Sequence, residues 1–185
     1  MTDLPKRELG RTGLQVTMLG YGAMELRGAP RARDTTEAQA ETILNAVLDA
    51  GINYIDTSID YGVSEERIGR YISHRRSEYY LASKCGCLVG APAVRGLTRD
   101  NILAGVEQSL VRMKTDYLDV VQFHISPSKQ TLEENGALDA VMELKRHAAS
   151  PGVPVRLPKI EATLATTIRY HSREGKRLGR AFHIS

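Results

Sequence analysis

Four side chains in the first two thirds of the sequence have the types needed for proton transfer to an oxygen: Asp56, Tyr61, Lys84 and His124. A phenol has a reference pKa of about 10, so at neutral pH it is a proton donor, though a reluctant one. A neighbouring ammonium favours the ionised phenol and eases proton release. Lys84 could supply that charge, Asp56 could hold Lys84 in place, and His124 could orient a substrate oxygen by hydrogen bonding. Such a set suits protonation of a carbonyl oxygen while a hydride reaches its carbon. It does not resemble a nucleophile–base pair for acyl transfer, and a barrel hydrolase would want paired acids or metal ligands instead. Taken singly, each residue has a plainer reading: a turn aspartate, a packed loop tyrosine, a solvated lysine, a satisfied buried histidine. Their placement together argues otherwise.

That placement depends on the elements that carry them. Residues 5–19 read as two short strands about the turn Leu9-Gly-Arg-Thr-Gly13, and Gly20–Met24 as the end of a first core strand. Thr36 with Gln39 opens a helix as a capping box, and Gly51 closes it. Ile52–Asp56 is a strand, and Ser64 can cap the helix that follows. Tyr79–Lys84 is a further strand, Thr98 opens a longer helix, and Tyr117–His124 is a strand again. Thr131 with Glu134 starts the last of these helices, whose apolar face includes Leu138, Val141 and Met142. Strands alternating with amphipathic helices imply parallel pairing through right-handed crossovers. Asp56, Lys84 and His124 then stand at, or one residue past, the carboxyl ends of three successive strands, the end where α/β folds build their sites. Tyr61 follows in the loop after the first of them.

These segments resemble the aldo-keto reductases. Arg7-Glu-Leu-Gly-Arg-Thr-Gly-Leu14 is similar to that family's opening hairpin, and Gly20-Tyr-Gly-Ala-Met24 to its first barrel strand. Gly51-Ile-Asn-Tyr-Ile-Asp-Thr-Ser-Ile-Asp-Tyr-Gly62 resembles the signature with the catalytic Asp and Tyr, and Ala82-Ser-Lys84 the segment with the catalytic Lys. Tyr117-Leu-Asp-Val-Val-Gln-Phe-His124 resembles the strand ending in the substrate-orienting His. The likeness runs over residues 7–146 and implies part of an eight-stranded (β/α) TIM barrel, with about four βα units after an N-terminal β-hairpin. It further implies nicotinamide-dependent reduction of a small aldehyde or ketone, with Tyr61 as proton donor tuned by Lys84 and Asp56. Gly22, Ala23, Met24 and Asp56 would approach the nicotinamide-ribose end of NADPH, with NADH as the alternative. The family binds its cofactor extended across the barrel mouth, so no Gly-x-Gly-x-x-Gly loop is expected. It also includes channel-associated subunits, which gives a non-catalytic binding module precedent.

The likeness stops at Arg146. Residues 147–185 hold seven Lys/Arg against two Asp/Glu, while the rest of the chain holds 18 against 20. Only Glu174-Gly-Lys176 and Phe182-His-Ile-Ser185 echo the turn and fifth strand the family would place next. Either about 27 residues are inserted, or the tail is out of the family's frame, which is the preferred reading. The expected division is therefore 1–146, the amino-terminal half of the barrel, and 147–185, a divergent basic tail that is disordered or covers the open barrel. Strands six to eight are not represented, and with them the residues that stack on the nicotinamide and grip the adenosine phosphate. Exposed parallel edges make self-association an expectation.

Bulk properties exclude other classes. With 42% hydrophobic and 25% charged residues among 185, the chain reads as an ordinary globular domain. No apolar run approaches the roughly 20 residues of a membrane span, and the first residues carry no apolar secretory stretch. The basic tail lacks aromatic interleaving, so no nucleic-acid partner is expected. Cys85 and Cys87 cannot make a disulfide framework, so a reducing, cytoplasmic setting is expected. One Cys-Gly-Cys without companion ligands is weak evidence for a metal, and none is expected.

Overall fold

The computed structural model describes residues 4–28, 34–88 and 91–148 and three two-residue tail strands at 159–160, 165–166 and 182–183; side chains are described for 4–28, 34–88, 91 and 94–145. An antiparallel hairpin, β1 (Lys6–Glu8) and β2 (Gln15–Thr17), comes first. Asn53 binds it to the barrel: its Oδ1 accepts from the Thr17 N–H at 2.7 Å, and its own N–H donates to Thr17 Oγ1 at 3.1 Å. Asn53 lies immediately before β4 (Tyr54–Asp56). The hairpin therefore covers the amino-terminal end of the strands and leaves the other end open for chemistry.

Four parallel strands form the main sheet in the order β3 (Tyr21–Gly22), β4, β5 (Tyr80–Cys85) and β9 (Val120–Phe123). Gly22 pairs with Asp56, Asp56 with Ala82, and Lys84 with Gln122, so the carboxyl ends lie together with the stagger of a tilted barrel wall. Helices cover the outside. Helix α1 (Glu37–Asp49) buries Ala40, Leu44 and Leu48, and α2 (Ser64–Tyr71) buries Ile68. Helix α3 (Arg99–Met113) buries Ile102, Val106, Leu110 and Met113, against Leu81 and Leu118 of the core. Burying each such side chain favours the fold by roughly 1.5–3 kcal/mol.

Helices α2 and α3 touch through Gly69. A Cβ built there would stand 2.1 Å from the Arg112 carbonyl oxygen and 2.8 Å from Met113 backbone atoms. Backbone cannot swing aside as a side chain can, so Gly69→Ala must part the helices. The expected loss is about 1–3 kcal/mol, measurable as a lower midpoint in denaturant unfolding. An unchanged midpoint would show that the close approach does not matter.

Several expected elements are placed differently. The first core strand ends at Gly22, and Ala23–Arg27 turns as a 3-10 helix, stopped by Gly28 at φ 77°. Ser64 is the first residue of α2 and not its cap: its hydroxyl donates to the Ala23 carbonyl at 2.8 Å, and Val63 holds the cap position. The segment after Lys84 is no plain loop, since β6 (Cys87–Leu88) pairs antiparallel with β7 (Ala91–Arg95). Asn101 fastens this hairpin to α3 by donating to the carbonyls of Cys87 and Gly96, at 2.8 and 2.6 Å. The strand through residues 117–124 is interrupted at Asp119 into β8 (Tyr117–Leu118) and β9. Ser128, not Thr131, caps the following helix, which is split into α4 (Lys129–Glu134) and α5 (Ala137–Ala148) around Gly136 at φ 66°. Asn135 has no αR continuation to pass on, because Gly136 takes the left-handed conformation.

In the tail, the residues that occupy the fifth parallel place are not those of the Phe182–Ser185 echo. Strand β10 (Lys159–Ile160) pairs parallel with β8, whereas β11 (Ala165–Thr166) and β12 (Phe182–His183) pair antiparallel with each other. Glu174-Gly-Lys176 lies outside the described residues.

Candidate active site

The three strand ends bring Asp56, Lys84 and His124 to one mouth, and the turn after β4 adds Tyr61. Lys84 Nζ donates to Asp56 Oδ1 and, at 2.8 Å, to the Thr57 carbonyl. Gln122, opposite Lys84 on β9, donates from Nε2 to Asp56 Oδ2 at 3.3 Å. The ammonium lies 4.8 Å from the centre of the Tyr61 ring, and that ring meets the His124 imidazole edge-on, with centroids 5.7 Å apart. Lys84 and Asp56 are 14% and 28% exposed, so their attraction acts in a medium less screening than bulk water.

The Tyr61 turn is held from below. Tyr61 N–H donates to the Ser58 carbonyl at 2.9 Å, and Val63 N–H to the Arg27 carbonyl at 3.2 Å. Gly62 has φ 47° and sits so close to Arg27 that a Cβ would stand 2.1 Å from its carbonyl oxygen. A side chain at position 62 would therefore displace the phenol.

His124 has two polar neighbours at one ring nitrogen. Its Nδ1 lies 3.0 Å from Ser58 Oγ and 3.2 Å from Cys87 Sγ. Ser58 Oγ already accepts from the Asp60 N–H at 3.2 Å, and Cys87 Sγ from Arg95 Nη1 at 3.0 Å. Either group can donate to Nδ1, and the tautomer with its proton on Nε2 then has that N–H free to donate. Burial lowers the His124 pKa, and the charges of Arg95 and Lys84 add to the effect. The expected species is a neutral imidazole with Nε2–H free to donate, visible in the ¹⁵N shifts of labelled protein at pH 7. Because the folded value is depressed, His124 stabilises the fold fully above its ordinary value of about 6.5, and that contribution is lost as the pH falls through the lowered folded value. An Nδ1–H tautomer, or a protonation midpoint above 6.5, would contradict this account.

A model of the Aldo/keto reductase family matches residues 18–149. The chain belongs to that family. It is 33% identical over 146 residues to an uncharacterized oxidoreductase of Bacillus subtilis, covering 76% of this chain and 45% of that protein. To a probable voltage-gated potassium channel β subunit of Oryza sativa it is 37% identical, covering 69% of this chain and 39% of that one. To L-galactose dehydrogenase of Arabidopsis thaliana it is 32% identical, with 67% and 39% covered. Among solved structures, an aldo-keto reductase of Bacillus halodurans in its holo form superposes with TM-score 0.70 at 29% identity, covering 90% of this chain and 51% of that one. The partial TIM barrel is thus shared with solved family members. The chain spans less than half the length of these curated relatives.

Within the reductase fold, the residues expected at the cofactor differ in position. Gly22 is exposed beside Asp56, and a Cβ there would meet nothing within 4 Å, so the mouth is open at this point. Met24 is 41% exposed. Ala23 is fully buried, and its carbonyl accepts from the Ser64 hydroxyl, so it does not face the mouth.

The residue types alone do not assign Gln122, Ser58 or Arg95 to the site, and Cys87 enters the sequence reading only as part of a Cys-Gly-Cys pair, weak as a metal signal. Gln122 is legible as the lone polar residue in Val-Val-Gln-Phe. Cys87 and Arg95 reach the site because the β6–β7 hairpin folds back over it. Cys85, two residues from Cys87, points into the core, where burial pushes its thiol up to about 12; the two do not form a disulfide. Among the described residues no helix is long and apolar enough to cross a membrane.

Proposed function

We propose that this chain carries the proton-transfer side of a carbonyl reductase site, reducing an aldehyde or ketone to an alcohol with NADPH as hydride donor. The observation that carries the reading is the meeting of Asp56, Tyr61, Lys84 and His124 at one end of the parallel sheet. When bound, the reduced nicotinamide supplies a hydride to the carbonyl carbon. Tyr61 gives its hydroxyl proton to the carbonyl oxygen, and the phenolate left behind is stabilised by the Lys84 ammonium. Asp56 and the Thr57 carbonyl hold Lys84 near the ring, and Gln122 holds Asp56. The Nε2–H of His124 donates to the same carbonyl oxygen and sets its angle. Water re-protonates Tyr61 after the alcohol leaves.

A second reading follows from the length of the relatives. The match covers less than half of the curated relatives, and in this reading the chain is a binding or oligomeric module without turnover of its own, associating with another copy or another chain. Titration of the purified chain with NADPH, followed by fluorescence, and an assay with 4-nitrobenzaldehyde separate the two. Saturable binding with turnover supports the reductase. Absence of binding at high cofactor concentration sinks it for this chain and favours the module.

A further inference from the structure

Three donor groups from three separate segments meet beside the tetrad. Asp60 comes from the turn after β4, Cys87 from β6 and His124 from the end of β9, and their donor atoms all lie within 4.8 Å of one another. We propose that Asp60, Cys87 and His124 form a Zn²⁺ site beside the catalytic centre, with His124 as a ligand through Nδ1.

Around tetrahedral zinc, with bonds of about 2.3 Å to sulfur and 2.0–2.2 Å to nitrogen or oxygen, donor atoms stand roughly 3.3–3.6 Å apart. Cys87 Sγ and His124 Nδ1, at 3.2 Å, stand just short of that spacing and need to part only slightly. Asp60 has to close in by about 1 Å, a small motion for a turn residue. A thiolate, an imidazole and a carboxylate select a borderline-soft ion over Mg²⁺ or Ca²⁺, which prefer all-oxygen sets. With three protein ligands the fourth position stays open to water or another small ligand.

The cluster already attracts a cation. Arg95 Nη1 donates to Cys87 Sγ at 3.0 Å, and Arg95 Nη2 lies 3.6 Å from Asp60 Oδ2. Arg95 ends β7 with its side chain 32% exposed, so the guanidinium can turn to solvent. Metal entry would exchange it for the divalent ion while the Cys87 thiol releases its proton to water. The local charge is unchanged, since the added ion's second charge balances the new thiolate. Metal binding itself needs no reductase activity.

Cobalt reports the ligands directly. Co²⁺ added to the reduced chain is expected to give tetrahedral visible bands and a thiolate-to-cobalt charge-transfer band, saturating at one equivalent and bleached by Zn²⁺. Cys87→Ser should remove the charge-transfer band and weaken binding at least about 10-fold. Arg95→Ala should tighten binding several-fold by removing the competing cation, an effect that adventitious surface binding would not show. Circular dichroism verifies that each variant is folded. No charge-transfer band in the folded chain, a band that survives Cys87→Ser, or weaker binding in Arg95→Ala would each overturn the proposal.

Discussion

Replacing Tyr61 by phenylalanine is expected to lower kcat for aldehyde reduction by about 10²–10⁴-fold, the range for losing a positioned general acid. The substitution removes one oxygen and keeps the ring. The edge-on contact with His124 and the approach of the Lys84 ammonium to the ring face depend on the ring, so both survive. The Gly62 turn is backbone-determined and also stays. Affinity for NADPH should therefore be unchanged, while turnover falls for every carbonyl substrate alike. A loss confined to KM would mean that the phenol binds substrate without donating to it. Retention of wild-type kcat would remove Tyr61 from the chemistry.

Replacing Asp119 by alanine is expected to have the largest effect on stability. Its carboxylate is 7% exposed and fills the gap between β8 and β9. It accepts from the Leu81 backbone N–H at 2.8 Å and from Arg76 Nη2 at 2.6 Å. Arg76, 12% exposed, also donates to the carbonyls of Tyr79 and Tyr117 and stacks 3.8 Å from the centre of the Tyr117 ring. Without the carboxylate, a charge and a buried N–H both lose their partner. Breaking such a pair costs about 3–5 kcal/mol, a large part of the 5–15 kcal/mol that typically holds a domain together. Denaturant unfolding measures it. Asp119→Asn can still accept from Leu81 but loses the charge, and should fall between the two. A loss under about 1 kcal/mol would place the pair with exposed ion pairs of little worth.

Asp119 also shows why part of the fold was hidden in the sequence. In Tyr117-Leu-Asp-Val-Val-Gln-Phe-His124, a charged residue inside an apolar strand reads as an ordinary outward-facing position. Only Arg76, 43 residues earlier, turns it into the point where the strand breaks. The helix starts differed for a similar reason. Ser64 and Thr131 both have the residue type of a cap, yet the Ala23 carbonyl takes the Ser64 hydroxyl and Ser128 takes the Thr131 N–H. Ala23 lies 41 residues from Ser64, out of reach of local propensity, while Ser128 and Thr131 stand three residues apart and are both cap types that residue type alone cannot rank.

The sequence by itself determined the alternation of strands and helices, the family, and the strand-end positions of Asp56, Lys84 and His124, because periodicity and motif spacing are local properties. Tertiary structure alone decided what surrounds them. The β6–β7 hairpin folds Cys87 and Arg95 over His124, Ser58 Oγ lies against its Nδ1, and Gln122 steadies Asp56. Those contacts join residues up to 66 positions apart. They set the polar surroundings of His124 and Asp56 through distance and burial, and neither is written in any one segment.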